Sequence, residues 1–286
     1  MTTQFDGRYA DRYLEVEGLR LHYTEWNADA DRHVVLLHGL NVQCHTWDPL
    51  AADLARDHHV VALDLRGHGE SDWTREGYGL RDFAGDVAGL VDALGLERFD
   101  LIGHSLGCRI GIVYAGMHPE RVRTLALSDA GPEFPREAIE FATRVVSSAG
   151  GEVRGFDTEA EALAYYEKMH PEWQPVFLEL HARHQLRRNW AAKLVFRADP
   201  DLFWILAGAG QRDDALCWEM VGKLTMPTLI LWGERSPFFS EEIANRMLER
   251  MTQGRLVRTG TGHYIPREAP EEFARIVRGF LTEADD

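Results

Sequence analysis

Short apolar runs recur along the chain, and segments of mixed polarity separate them. Residues 12–16 and 19–26 alternate apolar and polar side chains on either side of Glu17-Gly18, which predicts an antiparallel hairpin. The later runs are largely apolar, as is typical of strands buried on both faces. They cover residues 34–37, 60–63, 99–102, 123–128 and 228–232, with a shorter run at 255–257.

Helical spacing of apolar residues fills most of the intervals between these strands. Residues 80–94 put Leu80, Phe83, Val87 and Leu90 on one stripe. Residues 47–54, 240–251 and 270–281 show the same spacing. Because strand and helix alternate, we predict an α/β fold: a mostly parallel, doubly wound sheet with helices on both faces.

The alternation stops between residues 134 and 222. This segment is helix-rich, contains no obvious buried strand and holds Trp173, Trp190, Trp204 and Trp218. We predict that residues 1–133 and 223–286 form the core and that 134–222 form an inserted helical lid. A lid at the carboxyl ends of the strands would cover the crevice in which such sheets bind ligands. The alternative is that the tryptophans only hold the insert together.

The sequence Gly-His-Ser-Leu-Gly at residues 103–107 follows one apolar run and precedes a helical one. This is the G-x-S-x-G pattern, and it lies in the strand–turn–helix context that is typical of a nucleophilic serine. Glycine at 103 and 107 lets the backbone pass through a tight turn, so that the hydroxyl of Ser105 is exposed. Ser105 is therefore the predicted nucleophile.

A serine nucleophile needs a base, and the base needs an acid that orients it. His263 is the predicted base, because it follows a short strand and a glycine-rich loop and precedes the last helix. A serine followed by a histidine about 160 residues later is the order found in α/β hydrolases.

The chain resembles the α/β-hydrolase fold family over nearly its full length. The similarity lies in the hairpin, 37–39 (LHG), 64–71 (DLRGHGES), 103–107 (GHSLG), 231–234 (LWGE), 262–263 (GH) and 268–271 (EAPE). The resemblance implies a serine hydrolase with an oxyanion hole built from the backbone N–H groups of Leu40 and Leu106. It also implies that His38 and His68 are structural. Because the fold hosts many reactions, the resemblance leaves the substrate open.

The acid of the triad departs from the family pattern. The family usually carries aspartate after the strand 228–232, where this chain has Ser236. Asp129, at the carboxyl end of the strand 123–128, lies on the same rim as Ser105 and is the acid that we predict. Glu234 is the alternative candidate for the acid. If Asp129 has no catalytic role, we expect it to cap the turn that follows the strand.

These residues favour a serine hydrolase that cleaves a carboxylic ester or a related acyl compound through an acyl-enzyme. One alternative is hydrolysis of a C–C bond in a diketone-like substrate. That subfamily usually has asparagine before the serine and tryptophan after the histidine, where this chain has His104 and Tyr264. The second alternative is a ligand-binding receptor of the same fold with weak turnover, suggested by Ser236.

Composition narrows the possible partners. A formal net charge of −15 argues against a nucleic-acid partner. We expect no membrane span, because the sequence has no apolar run long enough to cross a bilayer. We expect a cytoplasmic protein, because the N-terminus is polar and the three cysteines are widely spaced. We expect neither a metal nor a cofactor, and a small apolar or aromatic acyl substrate. The basic stretch 181–188 is expected to be a solvated helix face, with contact to a substrate carboxylate as the alternative.

Overall fold

The computed structural model describes residues 4–5, 7–140, 155–202 and 213–284. Ten strands are present in these ranges. They are Ala10–Val16 (β1), Leu19–Trp26 (β2), His33–Leu37 (β3), His59–Leu63 (β4), Phe99–His104 (β5), Val122–Ser128 (β6), Leu186–Arg188 (β7), Leu194–Phe196 (β8), Thr228–Gly233 (β9) and Gly254–Thr259 (β10).

Eight of these strands form one sheet in the order β1-β2-β4-β3-β5-β6-β9-β10. The hairpin β1–β2 is antiparallel, as predicted, and β2 also runs antiparallel to β4. The other neighbouring strands in the sheet are parallel. The prediction of a mostly parallel α/β sheet is therefore confirmed.

The described α-helices mostly occupy the intervals between strands. They are Asp48–Leu54 (α1), Leu80–Ala93 (α2), Leu106–Met117 (α3), Glu159–Met169 (α4), Pro175–His184 (α5), Asp214–Val221 (α6), Glu241–Leu248 (α7), Ile265–Glu268 (α8) and Pro270–Glu283 (α9). None of the helices in the described ranges combines the length and apolar character that crossing a bilayer requires.

Each central strand contributes to two hydrophobic cores, one on either face of the sheet. In β3, Val35 and Leu37 pack with apolar residues of α2 and α3, whereas Val34 and Leu36 pack with residues of α1 and α9. Successive side chains of a strand point to opposite faces, and helices cover both faces here. This arrangement explains why residues 34–37 of β3 are apolar at successive positions.

The segment between β6 and β9 adds no strand to the main sheet. Its described part contains α4, α5 and α6, as the helix-rich composition predicts, and also the antiparallel pair β7–β8. No periodic pattern predicts this pair, because each strand has three residues and only Leu186 and Leu194 are buried. The division of the chain into core and lid at residues 134 and 222 stays a prediction.

The tryptophans of this segment have different environments. Trp173 is buried, Trp218 is half-buried, and Trp190 is 97% exposed. Trp204 lies outside the described residues. A common role for the four tryptophans is therefore not supported by those that the structure describes.

Candidate active site

The predicted site residues follow neighbouring strands at one edge of the sheet. Ser105 comes directly after β5, Asp129 directly after β6, and Leu40 lies three residues beyond β3. Because β3, β5 and β6 are parallel neighbours, their carboxyl ends meet at this edge. The topology therefore brings together residues that are far apart in the sequence.

Ser105 occupies a strained turn between β5 and α3. Its φ of 54° and ψ of −116° lie outside the regions that non-glycine residues ordinarily adopt. A Cβ at Gly103 would lie 2.3 Å from the carbonyl oxygen of Gly107, and a Cβ at Gly107 would lie 2.1 Å from that of Leu37. Both glycines are therefore needed for the close backbone approach that raises Ser105 out of the strand.

His263 lies between β10 and α8 and contacts both Ser105 and Asp129. Its Nε2 is 3.0 Å from Ser105 Oγ, and its Nδ1 is 2.7 Å from Asp129 Oδ2. An ionised carboxylate only accepts hydrogen bonds, so Nδ1–H donates to Asp129 and Nε2 is left to accept the serine proton. The three side chains thus form one continuous hydrogen-bond chain.

Asp129 is fully buried and is fixed at both carboxylate oxygens. Oδ1 accepts a hydrogen bond from the N–H of Gly233 at 2.8 Å, while Oδ2 accepts from His263. The backbone of Asp129 has a φ of 60°, and its N–H donates to the carbonyl of Leu231 at 2.9 Å. Strand β9 therefore holds the residue that orients the histidine.

The alternative acid occupies a different environment. Glu234 is exposed, and no hydrogen bond or ion pair joins its carboxylate to His263 within the described ranges. Ser236 instead stabilises a turn: its N–H donates to the carbonyl of Gly233, and its Oγ accepts from the N–H of Phe238. The structure thus brings Asp129, rather than Glu234, to the imidazole.

The two predicted oxyanion donors flank Ser105. Leu106 is the first residue of α3, where a backbone N–H has no preceding helical carbonyl to donate to. Leu40 lines the same cavity as Ser105. A Cβ at the neighbouring Gly39 would lie 3.1 Å from Ser105 Cβ, so this loop passes very close to the nucleophile.

Three further histidines lie near this edge without contacting Ser105 through a hydrogen bond. His38 is paired with the Gly39 carbonyl at Nδ1 and the Leu65 N–H at Nε2, and burial lowers its pKa to about 4. His68 is paired with a backbone carbonyl, and burial lowers its pKa to about 3. His104 lines the cavity, and its Nε2–H donates to the His263 carbonyl at 2.9 Å. Burial also lowers the pKa of His104, so all three imidazoles are favoured in the neutral form at pH 7.

A cavity of about 200 Å³ opens onto Ser105 and His263. Several of its lining residues come from α4, α5 and α8, where no sequence motif points to a site. The lining residues are Gly39, Leu40, Asn41, Val42, His104, Ser105, Phe134, Tyr166, His170, Trp173, His181, Phe196, Phe238, His263, Tyr264 and Arg267. Of the basic stretch 181–188, only His181 belongs to this lining, and Arg187 and Arg188 are exposed.

One buried cluster outside this cavity has the residue types of a metal site: His22, Cys44 and Asp64. Hydrogen bonds already occupy the Asp64 carboxylate, from His22 Nδ1 at 2.7 Å and from the N–H groups of Cys44 and Glu70. Burial raises the pKa of the Cys44 thiol, which disfavours the thiolate that a metal needs. These contacts identify Asp64 as a hydrogen-bonding centre for the loops around it.

Comparison with known proteins fits the geometry of the site. The family model for the alpha/beta hydrolase fold matches residues 32–270. The chain belongs to this family. The match spans strands β3 to β10 and the positions of Ser105, Asp129 and His263.

Several relatives and solved structures of this family are named as hydrolases or esterases. The chain is 36% identical over 149 residues to a 3-hydroxybutyrate-oligomer hydrolase of Cupriavidus necator, a match that covers 51% of this chain and 50% of that protein. It is 25% identical over 272 residues to esterase YbfF of Escherichia coli, covering 91% and 97%. The structure of E-2-(acetamidomethylene)succinate hydrolase superposes with a TM-score of 0.83 at 25% identity, covering 96% and 99%. The chain is therefore a hydrolase.

The glycines of the turn around Ser105 generate a stability prediction. We expect Gly107→Ala to destabilise the fold by at least about 1–3 kcal/mol, because its Cβ would collide with the backbone of Leu37. Gly85→Ala, on the exposed face of α2 with nothing within 4 Å, is the matched control. It should stabilise by about 0.5–1 kcal/mol through helix propensity. Urea denaturation followed by circular dichroism measures both, and a Gly107→Ala protein as stable as the control would contradict this account.

Proposed function

We propose that the protein is a serine hydrolase that cleaves a carboxylic ester or a related acyl compound through an acyl-enzyme. The observation that carries this proposal is the hydrogen-bond chain from Ser105 Oγ through His263 to Asp129, with distances of 3.0 and 2.7 Å. A nucleophile, a base and an acid in this order are the arrangement that activates a serine hydroxyl.

The proposed reaction follows from the roles of the three side chains. His263 Nε2 takes the proton of Ser105 as Oγ forms a bond to the substrate carbonyl carbon. The resulting imidazolium returns that proton to the leaving alcohol as its C–O bond breaks, which leaves the acyl group on Ser105. Water, deprotonated by the same nitrogen, then releases the acid and regenerates the serine. Asp129 holds the tautomer and offsets the charge of the imidazolium.

The developing oxyanion needs hydrogen-bond donors on the side of the carbonyl opposite the histidine. We assign this role to the backbone N–H groups of Leu40 and Leu106, which come from the loop after β3 and the first turn of α3. Each such donor contributes roughly 3 kcal/mol to the stability of the transition state.

The cavity supports a small acyl group with apolar character. Its volume of about 200 Å³ is below the roughly 300–1,000 Å³ of typical ligand pockets. Aromatic side chains contribute much of its lining: Phe134, Trp173, Phe196, Phe238 and Tyr264. A compact apolar or aromatic acyl substrate is therefore the class that we propose.

The two alternatives are less well supported. C–C hydrolysis is disfavoured by His104 before the serine and Tyr264 after the histidine. The receptor alternative depends on the missing acid at position 236, whereas Asp129, which follows another strand, contacts His263 and can act as the acid.

We expect a fluorophosphonate probe to add to Ser105, and Ser105→Ala to abolish both labelling and hydrolysis of p-nitrophenyl esters. Intact-mass spectrometry and peptide mapping identify the modified residue. Ser128→Ala is a suitable control, because Ser128 is buried at the end of β6 and does not line the cavity. Folded protein that gains no adduct, but is stabilised by a ligand in a thermal-shift screen, would favour the receptor.

The choice of acid is tested by two charge-neutralising variants. Asp129→Asn should lower kcat at least about a hundredfold with little change in KM, because the amide cannot offset the imidazolium and favours the wrong tautomer. Glu234→Gln removes the same charge from an exposed side chain and should lower kcat much less. Steady-state kinetics on one ester decide between them, and the reverse ranking would assign the acid to Glu234.

A further inference from the structure

Arg267 is a buried arginine in the wall of the cavity that contains Ser105. It lies in α8 and is 1% exposed. Its Nε donates to Thr46 Oγ1 at 2.9 Å, but its buried Nη1 has no hydrogen-bond partner among the described residues. Burial lowers the pKa of Arg267 to about 10, so the side chain remains charged at pH 7.

The other two buried arginines of the described chain are paired with carboxylates. Arg66 donates to Asp86 through two nitrogens, each at 2.6 Å, and Arg109 donates to Asp214 at 2.6 Å. Arg267 instead stacks on aromatic rings, with its guanidinium carbon 4.5 Å from the centre of Trp173 and 5.0 Å from that of Tyr264. Stacking holds the guanidinium in place but leaves a hydrogen-bond donor unused. A buried charge without a counterion is costly.

The cavity around Arg267 is suited to an anion. No aspartate or glutamate belongs to its lining among the described residues. Two other buried donors there, Trp173 Nε1 and the Tyr166 hydroxyl, also have no hydrogen-bond partner in the described chain. The protein as a whole carries a formal net charge of −15. The described lining thus contains a guanidinium without a carboxylate partner, although the chain as a whole is strongly acidic.

Tyr264 connects this group to the proposed catalytic residues. Its ring centre is 5.2 Å from that of His263, and Arg267 stacks on the same ring. The guanidinium thus lies one aromatic ring away from the base. A short acyl chain attached at Ser105 therefore has room in this small cavity to bring a polar group at its far end to Arg267.

We propose that Arg267 binds a carboxylate carried by the acyl part of the substrate, so that the enzyme prefers monoesters of short dicarboxylic acids. This proposal rests on the proposed serine hydrolase activity. It adds a terminal carboxylate to the otherwise apolar acyl group of the proposed substrate. Arginine suits this role because its planar fork of N–H groups matches a carboxylate.

Matched pairs of p-nitrophenyl esters test the preference. The succinate, glutarate and adipate monoesters are compared with the butyrate, valerate and caproate esters, which have the same number of acyl carbons but no carboxylate. We expect at least one monoester to exceed its neutral counterpart in kcat/KM by about tenfold or more. Arg267→Gln should lower that ratio by about 10- to 100-fold, the size of effect expected for a charge-assisted hydrogen bond. Arg267→Lys should give an intermediate ratio.

Arg275→Gln is the control for a general effect of charge. Arg275 is on α9, exposed and outside the lining of the cavity, so the ratio should stay at the wild-type value. Circular dichroism and fluorophosphonate labelling establish that each variant is folded with an accessible Ser105. If Arg267→Gln does not fold, Arg267→Lys and the wild-type ratios provide the test.

The outcomes separate this proposal from the proposed function. A wild-type enzyme that hydrolyses the neutral esters without preference for any monoester overturns the carboxylate site and leaves the hydrolase intact. If no ester is hydrolysed, the proposed function fails, and calorimetric titration of Ser105→Ala with monomethyl succinate and methyl butyrate still tests Arg267. The site is supported if Ser105→Ala binds monomethyl succinate more tightly than methyl butyrate and if the Ser105→Ala/Arg267→Gln double variant loses this difference. Equal binding of the two esters by Ser105→Ala overturns the site.

Discussion

The hydrogen bond between His263 Nδ1 and Asp129 Oδ2 joins residues that are 134 positions apart. The other carboxylate oxygen is bound to the N–H of Gly233, so strand β9 fixes the position of Asp129. Strand β10, parallel to β9, leads into the loop that carries His263. The direction of the imidazole, and with it the contact to Ser105, therefore depends on the register of three neighbouring strands.

This arrangement requires unfavourable local conformations that the surrounding fold sustains. Ser105 and Asp129, each placed directly after its strand, have φ values of 54° and 60°, and such conformations cost of order 1–3 kcal/mol each. The N–H of Ser105 donates to the Ser128 carbonyl, which links the two turns. Burying the Asp129 carboxylate is also unfavourable, and its two hydrogen bonds offset that cost. Both of these strained residues contact His263 at the carboxyl edge of the sheet.

The sequence predicts the sheet well, because runs of apolar residues are a strong local signal, and its glycine-flanked turns single out Ser105 and His263 as candidates. It leaves Asp129 and Glu234 open, because only the structure reveals that one side chain is buried against β9 and the other is exposed. The β7–β8 pair is too short to produce a periodic pattern. No sequence motif predicts the role of Arg267, because its lack of a carboxylate partner is a property of the packed cavity.

The most direct test of the central claim is a crystal structure of the protein after reaction with an alkyl fluorophosphonate. We expect a bond from Ser105 Oγ to phosphorus and a phosphoryl oxygen about 2.7–3.1 Å from the N–H nitrogens of both Leu40 and Leu106. His263 should remain hydrogen-bonded to Asp129. An adduct on another residue, or an imidazole that contacts Glu234 instead of Asp129, would contradict it.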